Sequence, residues 1–229
     1  MALAALILGA CRQEGAAAEA VKPTIHVLTS LPLLFDEGFG LAPASGPAAT
    51  YLRQRYTLKP IDLPSQLPPG AVLLAAQPRA LPAEELVALD AWVRGGGRLL
   101  LLADPLLEWP SERALGDRLR PPISFADTGL LGHWGLRLDA PDRRGLRSVG
   151  DGGPALDTLS PGTLVQVGGA CMIEPGAIVA HCRIGRGRAT IVADVDFLNV
   201  AAVEAVVRRD TDNLAMLERQ LSQLRSEAK

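Results

Sequence analysis

Cysteine is scarce in this chain, neither sign of charge is in excess, and no apolar run reaches membrane-spanning length. Three cysteines in 229 residues, Cys11, Cys171 and Cys182, cannot build the framework of bridges that holds small secreted scaffolds together. Lys and Arg number 23 against 25 Asp and Glu, a net charge of -2, so no basic field exists to hold nucleic acid or an anionic membrane. Lysine occurs only as Lys22, Lys59 and Lys229, and the arginine-rich balance carries no functional signal. The apolar stretch over residues 1–10 falls far short of the roughly 20 residues that a bilayer-crossing helix needs. Neither a Gly-x-Ser-x-Gly elbow nor a Walker A string occurs, which removes two common signatures of hydrolases and phosphate binders. What is present is 48% hydrophobic and 21% charged, the balance of an ordinary globular protein with one core.

The first residues bear on compartment. The apolar stretch ends in Leu8-Gly9-Ala10-Cys11, small residues before a cysteine, which is the order of a bacterial lipobox in which the cysteine is acylated. Polar and alanine-rich residues then run to about residue 22, as in a tether between lipid and domain. No Lys or Arg precedes the stretch, so a frayed apolar terminus stands as the alternative. With Cys11 lipidated, an even pair of cysteines is left. Cys171 and Cys182 flank the turn Glu174-Pro175-Gly176, and a hairpin centred there places them opposite each other, within bridging distance. Two ordinary buried thiols are the rival reading.

From Pro23 onward short apolar runs alternate with helical segments, the pattern of an α/β sheet covered by helices. Strands are expected over 24–29, 71–76 and 98–103; the second is apolar throughout, as in a central parallel strand buried on both faces. Helices are expected at 47–55, with Pro47 first, and at 82–94, where Glu84 and Glu85 occupy the positive first turn and Gly95-Gly96-Gly97 ends the helix. A further helix is expected around 126–134, and 139–157 reads as a loop or short edge strands. Strands resume over 163–167, 169–173, 178–184 and 188–197. The closing helix begins near Asn213, with Leu214, Leu217, Leu221 and Leu224 on one face.

The strings Val72 to Pro78, Leu81 to Leu86 and Leu89 to Pro105 resemble the core of the uncharacterised ABC-type transport auxiliary components, the GldG-like gliding-motility proteins, whose domain also occurs in an intraflagellar transport protein. The segments from Arg188 to Asn199 and from Asn213 extend the likeness. The resemblance implies a fold similar to class I glutamine amidotransferases over residues 23–229, after a leader at 1–22: a three-layer α/β sandwich on a mostly parallel, flavodoxin-like sheet, with a C-terminal β-hairpin region and closing helix. In that fold a nucleophilic cysteine follows the strand equivalent to 98–103, on a tight elbow. Here the position holds Asp104, followed by Pro105. A carboxylate cannot replace a low-pKa thiolate in acyl transfer from glutamine. The resemblance therefore implies a non-catalytic auxiliary or ligand-binding component of an ABC-type transport system, with permease and ATPase subunits as partners and no cofactor; the lipobox-like start adds a lipid anchor and the periplasmic face.

Open α/β sheets bind ligands at the carboxyl ends of their strands. Thr29, Ser30, Asp104, Asp194, Asp196 and Asn199 stand at such ends, and a convergent set of Asp and Asn suits either a hard cation or the hydroxyls of a small polar or sugar-like ligand. Equally, Asp104 and Asp196 suit turn capping. Asp36 and Glu37 in the long loop are weaker members of the same rim. A zinc site from Cys171, His181 and Cys182 lacks a fourth ligand and the usual spacing. Two other functions compete: a small hydrolase using Asp104 and Asp196 as acid and base, and an interaction scaffold with no small-molecule site.

Overall fold

The computed structural model describes residues 21–38, 42–150, 155–169 and 171–226; Cys11 and the lipobox-like stretch lie outside them. The elements in chain order are β1 (Thr24–Thr29), α1 (Pro47–Arg55), β2 (Thr57–Pro60), β3 (Val72–Ala76), α2 (Ala83–Arg94), β4 (Arg98–Leu102), α3 (Leu130–His133), β5 (Leu136–Asp139), β6 (Leu146–Val149), β7 (Leu156–Leu159), β8 (Thr163–Gln166), β9 (Cys171–Ile173), β10 (Val179–Ile184), β11 (Gly187–Val192), α4 (Val200–Val207) and α5 (Asn213–Ser226). Seven strands form one sheet in the order β2-β1-β3-β4-β11-β10-β9. Its first four pairings are parallel, and the last two, β11 with β10 and β10 with β9, are antiparallel.

Apolarity explains the order of the strands. Every residue of β3 is buried, and β4 is buried from Leu99 onward, so these strands take the centre, with protein on both faces. β2, with Lys59 and Pro60, sits at one edge, where a missing ladder donor costs nothing. One continuous core joins Leu73, Leu74, Leu99 to Leu102 and Ile191 to Leu52, Val93, Leu217 and Leu221 on the helices.

The termini of α2 show how local chemistry sets the elements. Pro82 is the residue before the helix rather than its first member. Glu85 accepts bonds from the Ser65 N–H at 2.9 Å and the Ser65 hydroxyl at 2.8 Å, which satisfies a carboxylate otherwise 9% exposed. Gly96 takes φ +113° at the exit, where a Cβ is disfavoured.

The expectations fail in three places. The helix expected over 126–134 is only the single turn α3: Gly129, at φ +100°, begins it, and the Asp127 carboxylate accepts from the Gly129 and Leu131 N–H groups. The stretch over 139–157, expected as a loop or short edge strands, holds the short strand β6, which pairs with β7, while β5 pairs with β8. The strand expected to run to residue 197 stops at Val192, and Asp196–Leu198 form a 3-10 turn leading into the unanticipated α4. The strand expected from residue 169 begins at Cys171.

Candidate functional site

Register brings the strand-end acids together. β4 and β11 are parallel neighbours with Leu102 opposite Val192, and the Ala103 N–H donates to the Val192 carbonyl at 2.8 Å. Asp104 and Asp194 each lie two residues past that pair, so both strands deliver a carboxylate to one place. The turn at Asp196–Leu198 folds Asp196 back onto them. One carboxylate oxygen from each of Asp104, Asp194 and Asp196 lies within 4.8 Å of the others. The residues are 0%, 0% and 2% exposed.

Each acid is also tied to backbone. Asp104 accepts from the Leu106 N–H at 2.8 Å and the Val195 N–H at 3.2 Å, and Asp196 from the Glu108 N–H at 2.7 Å. Oδ1 of Asp194 accepts from the Thr158 hydroxyl and from the Phe197 N–H at 3.1 Å. The capping role anticipated for Asp104 and Asp196 is thus present. It does not account for Oδ2 of Asp194, which is buried with no hydrogen-bond partner.

Electrostatics follow from burial. Desolvation pushes the Asp104 carboxyl up to about 6, against bonds from the Leu106 and Val195 N–H groups that favour its charged form. Desolvation, then the charge of Asp104, pushes Asp196 up to about 8. Asp194 is raised well above the ordinary carboxyl range, first by burial and then by the charges of Asp104 and Asp196.

The expected elbow is absent at Asp104. Among the described residues the non-glycine positions with left-handed backbone are Gln77, Ser160, Ala177 and Arg208; Gln77 (φ +44°) follows β3 in the seven-stranded sheet and Ser160 (φ +48°) follows β7. Pro105 gives the reason, since the residue before a proline is held in extended backbone. Gln77 is itself fully buried.

Other anticipated residues do other work. The Thr29 hydroxyl donates to the Ala76 carbonyl at 2.8 Å and the Ser30 hydroxyl to the Gln77 carbonyl at 2.6 Å, lacing the ends of β1 and β3. Asn199 is half-buried before α4, its N–H donating to the Asp196 carbonyl at 2.9 Å. Asp36 accepts from the Ser45 N–H, and Glu37 accepts from the Ser111 hydroxyl and the Glu112 N–H. Cys171 and Cys182 face each other in the β9–β10 register with Cα atoms 4.0 Å apart, joined as a disulfide. The bond leaves no thiolate for zinc. His181 lies between Glu174, 2.7 Å from Nε2, and the Thr190 hydroxyl, 3.2 Å from Nδ1.

Several contributors escaped the sequence reading. Thr158 on β7 reaches Asp194, and Glu108 accepts from the Ser160 hydroxyl at 2.5 Å. Asn213 donates to the Asp157 and Phe197 carbonyls at 2.8 and 2.9 Å, which fixes α5 to the turn carrying Asp196. No motif marks these residues; a polar side chain inside an apolar strand, as at Asp157-Thr158, is the one signal that points to them.

The fold has distant likenesses. An exo-β-1,4-mannosidase from Opitutaceae bacterium strain TAV5 aligns at 17% identity and TM-score 0.47 over 89% of this chain and 34% of its own. A β-galactosidase from Rahnella sp. R3 aligns at 14% and 0.47 over 88% and 32%. This chain therefore spans about a third of the length of those enzymes. The cytoplasmic protein STM1381 from Salmonella typhimurium LT2 aligns at 10% and 0.41 over 76% and 88%. Identities and scores at this level say nothing of activity. No curated protein matches the chain. Among the described residues no helix is long and apolar enough to cross a membrane. The family model for an ABC-type uncharacterized transport system matches residues 22–141, just over half of the chain, and the chain belongs to that family of transport auxiliary components.

Proposed function

We propose that this protein is a non-catalytic auxiliary component of an ABC-type transport system, held at the periplasmic face of a bacterial membrane by lipid on Cys11. In this reading residues 23–229 form one domain that works with the permease and ATPase subunits and presents no reactive group of its own. A small polar or sugar-like molecule is the ligand class to test. The observation that supports this reading most is the closure of the sheet's carboxyl end. Asp104, which the resemblance puts where a class I amidotransferase carries its nucleophile, is sealed from solvent and bonded to backbone N–H groups.

The hydrolase reading fares less well on the same geometry. Glycosidase carboxyls work about 5–10 Å apart, with the sugar between them. Asp104 and Asp196 bring a carboxylate oxygen each within 4.8 Å of the other and are 0% and 2% exposed. No sugar reaches between groups that close and sealed from solvent.

Fractionation of cells expressing the full chain tests the proposal. The protein is expected in the membrane fraction, Cys11→Ser is expected to release it, and a permease and an ATPase are expected to co-purify in mild detergent. Identical soluble behaviour of both forms would remove the anchor. Hydrolysis of nitrophenyl glycosides by the wild type, lost in Asp196→Asn, would replace the auxiliary role with an enzyme.

A further inference from the structure

We infer that Asp104, Asp194 and Asp196 form a calcium site that pins the ends of β4 and β11 together. The inference is independent of the transport role. Three carboxylates at 0–2% exposure carry a charge that the interior does not tolerate unless protons or a cation neutralise it. Among the described residues no Lys, Arg or His side chain bonds to any of the three; their partners are backbone N–H groups and the Thr158 hydroxyl.

Protons relieve part of that charge. A proton on Asp104 or Asp196 lowers the repulsion within that pair. Oδ2 of Asp194 is buried, and no group donates a hydrogen bond to it. Ionised, it is an acceptor left without the donor that a buried carboxylate needs. A cation among the three carboxylates meets that need, because it takes up an acceptor and supplies no hydrogen.

Spacing and donor type choose the ion. Oxygens on opposite sides of one calcium, at 2.3–2.6 Å each, lie about 5 Å apart, and the three oxygens here lie within 4.8 Å of one another. The set is all oxygen, with no imidazole or thiolate, which suits a hard cation and not zinc. Magnesium keeps several waters in a strict octahedron, and carboxylates sealed from solvent fit that poorly. Calcium accepts irregular oxygen cages. The ion would join two strands and, through the backbone bonds of Leu106 and Glu108, the start of the long segment between β4 and α3.

The test uses the purified full chain stripped with EDTA, with calcium chloride as the probe and magnesium chloride in parallel. Equilibrium dialysis is expected to find one calcium per chain. The unfolding midpoint is expected to rise by about 5–10 °C at a hundredfold excess over Kd. Asp194→Asn keeps the side-chain shape and removes one charge, and is expected to weaken binding by about 100-fold or more. Asp196→Asn serves the same purpose if that variant does not fold. Asp142→Asn, at an exposed loop acid, is expected to leave the shift intact. No bound calcium and an unmoved midpoint in the wild type would overturn the site. So would a full calcium shift in both Asp194→Asn and Asp196→Asn, and a larger shift with magnesium would overturn the choice of ion.

Discussion

Gln77 and Asp104 hold each other through both ends of one amide. The Asp104 N–H donates to Oε1 at 2.9 Å, and Nε2 donates to the Asp104 carbonyl at 3.0 Å and to the Pro122 carbonyl at 3.1 Å. The amide stands in for a strand pairing just where β3 and β4 have ended, and it sets the backbone from which Asp104 projects. Left-handed backbone at Gln77 is the cost of aiming it there.

Removing this clamp is expected to be expensive. Gln77→Ala strips partners from a buried N–H and buried carbonyls, and destabilisation of about 3 kcal/mol is expected in urea unfolding. Gln77→Glu replaces the donor with an oxygen facing two carbonyl oxygens, so it should be no milder despite its size. A change below about 0.5 kcal/mol in either variant would show that the clamp contributes nothing.

Backbone contact makes a different prediction at the β10–β11 turn. A Cβ on Gly187 would lie 1.9 Å from the Val93 carbonyl oxygen and 2.4 Å from that of Gly97. Gly187→Ala must push β11 away from the end of α2, and a loss of about 3 kcal/mol or more is expected. Gly116→Ala meets open space, though at φ +90°, and should cost about 1–2 kcal/mol. Comparing the two midpoints separates a packing clash from backbone strain alone.

The disulfide closes a short loop, with its cysteines 11 residues apart in sequence. Chain entropy puts its contribution at about 2–3 kcal/mol. Reduction, or the double variant Cys171→Ala with Cys182→Ala, is expected to lower the unfolding midpoint by about 5–10 °C. A thiol assay on denatured, unreduced protein is expected to find neither sulfur free. Two titratable thiols from this pair would refute the bond.

Acid should weaken one contact at the sheet edge. The hydrogen bond from His181, opposed by partial burial, holds the Glu174 carboxyl below its ordinary value of 4.5. A depressed folded value means that the unfolded chain takes up protons first, so the stabilisation is present above 4.5 and is lost as pH falls through the folded value. The pair is partly solvated, which limits its contribution to under about 1 kcal/mol. The buried aspartates act with the opposite sign, because their folded values are raised. The Glu174 share is therefore read as the wild-type stability minus that of Glu174→Gln, and that difference should shrink toward zero on acidification. A pH-independent difference would show that Glu174 acts through packing alone.

Local pattern in this chain carried the parts of the fold that depend on burial. Val72 to Ala76 and Leu99 to Leu102 are apolar because both faces of their strands are covered, and Leu89 and Val93 mark the inner face of α2. The spacing of Cys171 and Cys182 about Gly176 likewise contains their cross-strand register. α3 and the β5–β8 and β6–β7 pairs carry weaker signals. Each is one turn or four residues per strand, and partners across the chain hold them rather than their own propensity.

The candidate site divides in the same way. Sequence alone placed acids at the ends of two apolar strands, because strand ends and turn residues are local properties. That those acids share one sealed space depends on the register of β4 against β11, where the bond from the Val195 N–H to Asp104 spans 91 residues. Whether a carboxylate caps a turn or faces two others is decided by such long-range pairing. The solvent excluded by that pairing then gives the charges their energy, and no residue pattern records it.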